Sequence, residues 1–448
     1  MARGTHSAAG SVLGFTRTQW LVIAAGWAGW GFDVYDALLF NFVAPNCIPV
    51  LLQVPRDSAA AHAAVAFWTG AITAALLLSW AAGGVLFGWL ADRIGRKRAL
   101  FLTVALYAIG TGLCALVTNI GQLIVCRTLA GLGIGGEWGI GAALIAESVP
   151  ESKRVTAGVI LQTASPLGIV LASFVNYRIA GVWLAADPES SWRYVFLAGL
   201  APLALALLVR LFLRESPQWQ ASRLAPGRAR GPAELFAPAL RRATLSGLLV
   251  AVTAVLTWWA CNAFIPLLGA TLAQEEAHRL ALTAQAARAL AAGWQAHAAN
   301  AFNLGGLLGA LAVVPLARRL SRRQLFIVYF VFSAAAIAAT FGPPLAPLLR
   351  LTLLLLVGAG VYGVFGILTF YLPELFPVRL RASGAGFCYN FGRLFAAAGP
   401  LIVGLVSATA GGSGRALTLI LCWVALVPLA AAVATRFVLI ETRGQGLT

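Results

Sequence analysis

Ionisable side chains are rare in this sequence, and a few fall inside or at the ends of long apolar runs: Asp33, Asp36, Arg127, Glu137, Arg393, Glu147 and Glu374. A charge at bilayer depth costs at least ~2.5 kcal/mol on insertion scales, so each is read as functional. Their types point to two kinds of chemistry. Carboxylates in a dry site take up and release protons, and a buried guanidinium grips a carboxylate through two parallel hydrogen bonds. Asp33 and Asp36 lie at i,i+3 on one helix face, and two carboxylates that close resist double ionisation. At ~1.5 Å of rise per residue, Asp36 and Arg127 lie about 10 and about 9 Å from the outer ends of their runs. Equal depth makes them expected partners, with a static structural ion pair as the competing role.

Glu137 and Arg393 both fall near the midplane. Arg393, flanked by Tyr389 and Asn390, makes a bidentate host for a carboxylate substrate, and Glu137 could take the proton that keeps the site neutral. Pairing of Arg393 with an acid across the molecule is the competing role. Asn262, Gln162 and Tyr362 complete the expected substrate set. For the amides Asn262, Gln162 and Asn303, interhelical hydrogen bonding competes with substrate contact. For Trp258, Trp259, Tyr362 and Phe365, packing or lipid contact is expected over substrate contact.

Positioning such residues requires membrane-spanning helices. Of 448 residues, 60% are hydrophobic and 10% charged, against about a quarter charged in soluble domains. Runs of roughly 20 apolar residues, each able to cross a ~30 Å hydrocarbon core, recur along the chain. Twelve are read, near 19–43, 64–91, 99–118, 121–149, 155–180, 193–213, 243–272, 297–317, 324–341, 347–373, 382–409 and 416–440. The expected organisation is a tail (1–18), a six-helix half (19–213), a polar linker (214–242), a second half (243–440) and a short tail (441–448). Residues 1–18 lack the apolar core of a signal peptide.

With the N-terminus placed in the cytoplasm, 22 of the 32 Lys and Arg lie on that side and seven on the other, the positive-inside asymmetry. The net charge of +17 then sits beside anionic lipid. Its scatter over short loops argues against nucleic-acid binding. The six cysteines show no metal or redox spacing. The four histidines are read in loops or at helix ends, which excludes a buried histidine relay. No metal site, cofactor motif or catalytic triad appears, so an enzyme is not expected.

Two parallel matches divide the chain. Leu90-Ala-Asp-Arg-Ile-Gly-Arg-Lys97 matches Leu316-Ala-Arg-Arg-Leu-Ser-Arg-Arg323 at an offset of 226, and Glu147-Ser-Val-Pro150 matches Glu374-Leu-Phe-Pro377 at 227. Parallel repeats with a binding site at their interface are one architecture of secondary transporters.

The stretch Gly88-Trp-Leu-Ala-Asp92-Arg93-Ile-Gly95-Arg96-Lys97-Arg98-Ala-Leu100 resembles the major facilitator signature between helices 2 and 3. The resemblance implies an all-α fold of twelve transmembrane helices in two six-helix halves. It also implies a conformational latch here, carried by Gly88, Asp92, Arg93, Gly95 and Arg96, with Glu147 and Glu374 at the corresponding helix ends. The second copy lacks the acid (Arg318) and the glycine (Ser321), which puts a matching latch there in doubt. Arg127-Thr-Leu-Ala-Gly131-Leu-Gly133-Ile-Gly-Gly136 is similar to the family's helix 4 motif, whose arginine serves proton coupling. Its G-x-G-x-x-G letters lie inside an apolar helix and not after a strand, which excludes a dinucleotide fold.

Gly31-Phe-Asp33, Gly136-Glu137-Trp138-Gly139, Glu147-Ser-x-Pro150 and Tyr389-Asn390-x-Gly392-Arg393 resemble the sialic acid and monocarboxylate proton symporters, with aromatic-acid and metabolite symporters close by. Arg214-Glu-Ser-Pro217 and Glu441-Thr-Arg-Gly444 resemble sugar porters. The expected function is proton-coupled symport of a small organic anion by alternating access, in a bacterial inner membrane. Asp33, Asp36, Arg127 and Glu137 would carry the coupling, and the protein would act as a monomer in lipid with both termini cytoplasmic. A sugar porter, an exporter or exchanger, and a non-transporting receptor or channel are the alternatives.

Overall fold

The structure is a computed structural model that describes residues 12–55, 58–184, 186–224, 232–398 and 414–444. These form helices and connecting turns, with no strand among the described residues. The first group is α1 (Arg17–Leu52), α2 (Ala59–Ile94), α3 (Arg96–Leu113), α4 (Ile120–Ser148), α5 (Glu151–Gln162), α6 (Ala164–Asn176), α7 (Pro188–Ala198) and α8 (Pro202–Phe212). The short α9 (Pro217–Leu224) lies in the polar linker. The second group is α10 (Arg241–Arg279), α11 (Ala284–Arg319), α12 (Arg322–Phe341), α13 (Pro347–Glu374), α14 (Arg381–Ala396), α15 (Gly414–Trp423) and α16 (Leu426–Val438).

Among the described residues, eleven helical stretches are long and apolar enough to cross a membrane. The expected run 382–409 begins as α14 and continues outside the described residues. Several spans comprise two elements: α5 and α6 make the fifth, and α7 and α8 the sixth. The helices have nearly continuous apolar surfaces, as expected where lipid and protein are equally apolar environments.

Local chemistry sets the ends. Thr16 with Gln19, and Ser321 with Gln324, form reciprocal capping boxes at the starts of α1 and α12. Gly95 separates α2 from α3 at φ +105°, a conformation that side chains rarely adopt. Some helices outrun their apolar cores. The segment 273–296, read as an outer loop, is mostly helix because Ala- and Gln-rich sequence extends α10 and α11 beyond their apolar stretches. His297, read at a helix end, therefore lies inside α11, where it is exposed and bonds Thr352.

The two groups meet along α14 against α2 and α4, and along α5 against α11 and α13. Small residues permit this approach: a Cβ on Gly88 would stand 2.8 Å from the Ala382 carbonyl oxygen of α14.

Candidate functional site

Between the two groups lies a narrow cavity to which both contribute side chains. The first group supplies Trp30, Val34, Ala37, Leu38, Trp80, Gln162 and Ser165; the second supplies Val255, Trp258, Trp259, Tyr362, Phe365, Tyr389 and Arg393. Trp258, Trp259, Tyr362 and Phe365, for which packing or lipid contact was expected, thus face the cavity. The Tyr362 hydroxyl donates to Ser165 Oγ across the groups, and Trp138 stacks on Tyr389 with centroids 3.7 Å apart.

Arg393 is 3% exposed. Its guanidinium lies over the rings of Trp80 and Tyr389, 4.2 and 4.6 Å from their centroids. Nη1 donates to Asn390 Oδ1 at 2.7 Å, and Asn390 in turn donates to the Gly135 carbonyl at 3.2 Å. Nε has no hydrogen-bond partner, and no acid lies within 4 Å of the guanidinium among the described residues. Among the expected substrate residues, Gln162, Tyr362, Tyr389 and Arg393 line the cavity, Asn390 orients Arg393, and Asn262 is not part of the lining. Asn303 bonds the Ala299 carbonyl of its own helix.

The four residues expected to handle protons divide into two pairs. Arg127 Nη1 meets Asp36 Oδ1 at 2.7 Å with both side chains fully buried. Thr111 Oγ1 donates to the same carboxylate at 2.6 Å, and Arg127 Nη2 donates to the Asp36 carbonyl at 3.1 Å. The equal-depth pairing is therefore present. Asp33 and Asp36, expected to act on each other, differ in their nearest partners: Asp36 is held by Arg127. The nearer partner of Asp33 is Glu137: both are fully buried, and their carboxyl groups lie against each other. None of their four oxygens makes a hydrogen bond among the described residues. Ionised carboxylates only accept hydrogen bonds, so a bond between these two requires a proton.

At one end of the molecule the signature loop joins the groups. Asp92 pairs with Arg96 at 3.0 Å and accepts from the backbone N–H groups of Ala382 (3.3 Å) and Ser383 (2.8 Å). These are otherwise unpaired donors at the start of α14. Arg96 is buried and reaches Glu147 at 2.9 Å and the Val378 carbonyl at 2.6 Å, and Arg381 meets Glu147 at 3.3 Å. Arg93, expected in the latch, instead stacks on Trp89 of its own helix, 4.1 Å from the ring centroid. Three residues on, Arg96 makes the charged contacts to both groups. Glu374 belongs to a separate cluster, pairing with Arg322 at 3.1 Å and accepting from Thr442.

The repeat is visible in these contacts. Glu215 accepts from Arg96 and Lys97 N–H (2.9 and 3.2 Å), and Glu441 accepts from Arg322 and Arg323 N–H (3.0 and 3.1 Å). Both acids cap the start of their third helix. Sequence reasoning left them out of the site, although their separation of 226 matches the offset of the signature loop. Trp30, Trp80, Thr111 and Ser165 were also missed; nothing in their local sequence marks them.

Two helical groups around a buried cavity, joined at one end by a charged loop, define a multi-pass membrane transporter and not an enzyme. A family model described as sugar (and other) transporter matches residues 34–231. A putative metabolite transport protein of Haemophilus influenzae is 31% identical over 72% of this chain and 74% of its own length. A probable 4-methylmuconolactone transporter of Cupriavidus pinatubonensis is 29% identical over 94% and 90%. The chain belongs to this transporter family, within the major facilitator superfamily. The proton:xylose symporter XylE shares the fold at a TM-score of 0.72, with 18% identity over 96% of this chain and 98% of that one.

Proposed function

We propose that this protein is a proton-coupled symporter that imports a small organic acid by alternating access. The observation that carries the reading is Arg393: buried in the cavity between the groups, with a free Nε and no acid within 4 Å among the described residues. An unpaired buried cation is costly, and a substrate carboxylate would relieve that cost. Asp33 and Glu137, facing each other without another donor, would carry the proton, and the Asp36–Arg127 pair would tie α1 to α4 during the cycle. The Asp92 end would face the cytoplasm, in keeping with the basic loops there, and its latch would hold one of the alternating states. The relative named for 4-methylmuconolactone transport is consistent with a small-metabolite substrate. The protein would work as a monomer in a bacterial inner membrane, with both termini cytoplasmic.

The test is uptake of labelled lactate, sialic acid and benzoate into proteoliposomes, with and without an inward proton gradient. Gradient-driven accumulation of at least one acid is expected. Uptake unchanged after a protonophore collapses the gradient would exclude symport and leave a uniporter.

A further inference from the structure

The cavity wall is rich in aromatic side chains, with a single cation. Arg393 stands at one end, beside Tyr389. From Tyr389 the lining continues to Phe365 and then Tyr362, with ring centroids 6.1 and 5.7 Å apart. Trp258 packs against both of the last two, at 6.3 and 6.0 Å. Beyond Tyr362 lies Gln162, which is 1% exposed. Its amide approaches the Tyr362 hydroxyl, yet neither the amide nitrogen nor the amide oxygen completes a hydrogen bond among the described residues. A cation and an unsatisfied amide thus stand at opposite ends of an aromatic wall.

We propose that this site selects flat, conjugated ring acids, with the carboxylate on Arg393 and a hydrogen-bonding group on the opposite edge read by Gln162. The proposal rests on the organic-acid reading above. A planar ring stacks on the lining aromatics in offset or edge-to-face arrangements. A polyhydroxylated acid would lose water from several hydroxyls along a wall with few partners to offer them. A short saturated acid would satisfy Arg393 and leave the wall and Gln162 unused. Stacking of the guanidinium on Trp80 and Tyr389 occupies its faces and leaves its N–H edge for the carboxylate. A site built to hydrogen-bond a substrate group discriminates strongly against an analogue lacking it. Gln162 is therefore the specificity-determining residue.

The experiment measures ligand-induced thermal stabilisation of the purified full chain, and competition for its uptake in proteoliposomes. The probes are benzoate, 4-hydroxybenzoate, benzamide, lactate and glucuronate. Benzoate and 4-hydroxybenzoate should bind about tenfold or more tighter than lactate or glucuronate, with 4-hydroxybenzoate the tighter of the two. Gln162→Leu should abolish the difference between the two aromatic acids, whereas a purely structural Gln162 would weaken both by the same factor and leave their ratio unchanged. Lactate or glucuronate binding as tightly as benzoate in the wild type would overturn the ring-acid proposal while leaving the organic-acid reading in place. Benzamide binding as well as benzoate would overturn the organic-acid reading itself, and absence of binding by all five would overturn both. Equal binding of benzoate and 4-hydroxybenzoate by the wild type would remove Gln162 from its role, and that result does not depend on any variant folding.

Discussion

Asp92 and Ser383 stand 291 positions apart in the chain, and the carboxylate of the first accepts the backbone N–H of the second at 2.8 Å. The contact gives α14 an N-terminal cap supplied by the other helical group. A carboxylate at a helix start satisfies free N–H groups and meets the positive end of the helix dipole. Arg96 holds that carboxylate from within its own group. The corresponding position in the second repeat is Arg318, whose charge has the wrong sign to cap a helix start, so the Asp92 contact has no symmetry mate of the same chemistry.

Asp92→Asn should slow conformational cycling and leave the cavity's affinity unchanged. The amide can still accept one N–H, but the charge that favours both Arg96 and the start of α14 is lost, weakening the latch by on the order of 1–3 kcal/mol. Uptake turnover and substrate-induced thermal stabilisation, measured on the same preparation, check this. Normal turnover with lost stabilisation would contradict the assignment.

Arg393→Lys keeps the charge and removes the planar fork. If the guanidinium holds a carboxylate, affinity should fall about tenfold or more, roughly 1.4 kcal/mol, in a protein that remains folded. Stabilisation by benzoate reads this out. A Glu137→Gln/Arg393→Gln double variant that retains full stabilisation would take Arg393 out of the site.

The Asp36–Arg127 pair predicts a characteristic double-mutant result. Arg127→Met alone strands a buried carboxylate and should destabilise the protein by about 3–5 kcal/mol. Asp36→Leu with Arg127→Met removes both charges and should recover most of that loss, measured as the midpoint of thermal unfolding in detergent. The recovered protein should still bind substrate but fail to accumulate it against a gradient. Full accumulation would show that the pair is purely structural.

Glu441 links the last residues to pH. Burial raises its pKa, but the N–H groups of Arg322, Arg323 and Arg443 and the Ser321 side chain outweigh that effect and hold it below the usual glutamate value. A lowered folded-state pKa means stability present above the unfolded value of ~4.3 and lost as pH falls through the folded value. Glu441→Gln should therefore destabilise the protein at neutral pH by at most about 1 kcal/mol for so exposed a group, read as a lowered unfolding midpoint. The difference from wild type should shrink as pH falls below ~4.3. A difference that persists undiminished in acid would assign the effect to packing.

The sequence alone determined the solvent of this protein, its helical class, its duplicated plan and the charged loop that joins its two helical groups. Each follows from quantities read along the chain: long apolar runs, the two offsets, and the motif around Asp92. It also brought Asp36 and Arg127 to one depth, because depth follows from rise per residue and needs no knowledge of neighbours. The partner of Asp33 was different. Residues at i,i+3 share a face, but which helix that face meets depends on rotation and packing, and the fold set Glu137 against Asp33 while Arg127 engaged Asp36. Packing likewise distinguished the two arginines of the signature loop, setting Arg93 on Trp89 of its own helix and Arg96 on Glu147. The aromatic wall was the least legible feature. Trp30, Trp80, Trp258 and Phe365 sit in apolar helices where a lipid-facing side chain and a cavity-lining one look alike in sequence. Only the packing of the two groups decides which of them face inward.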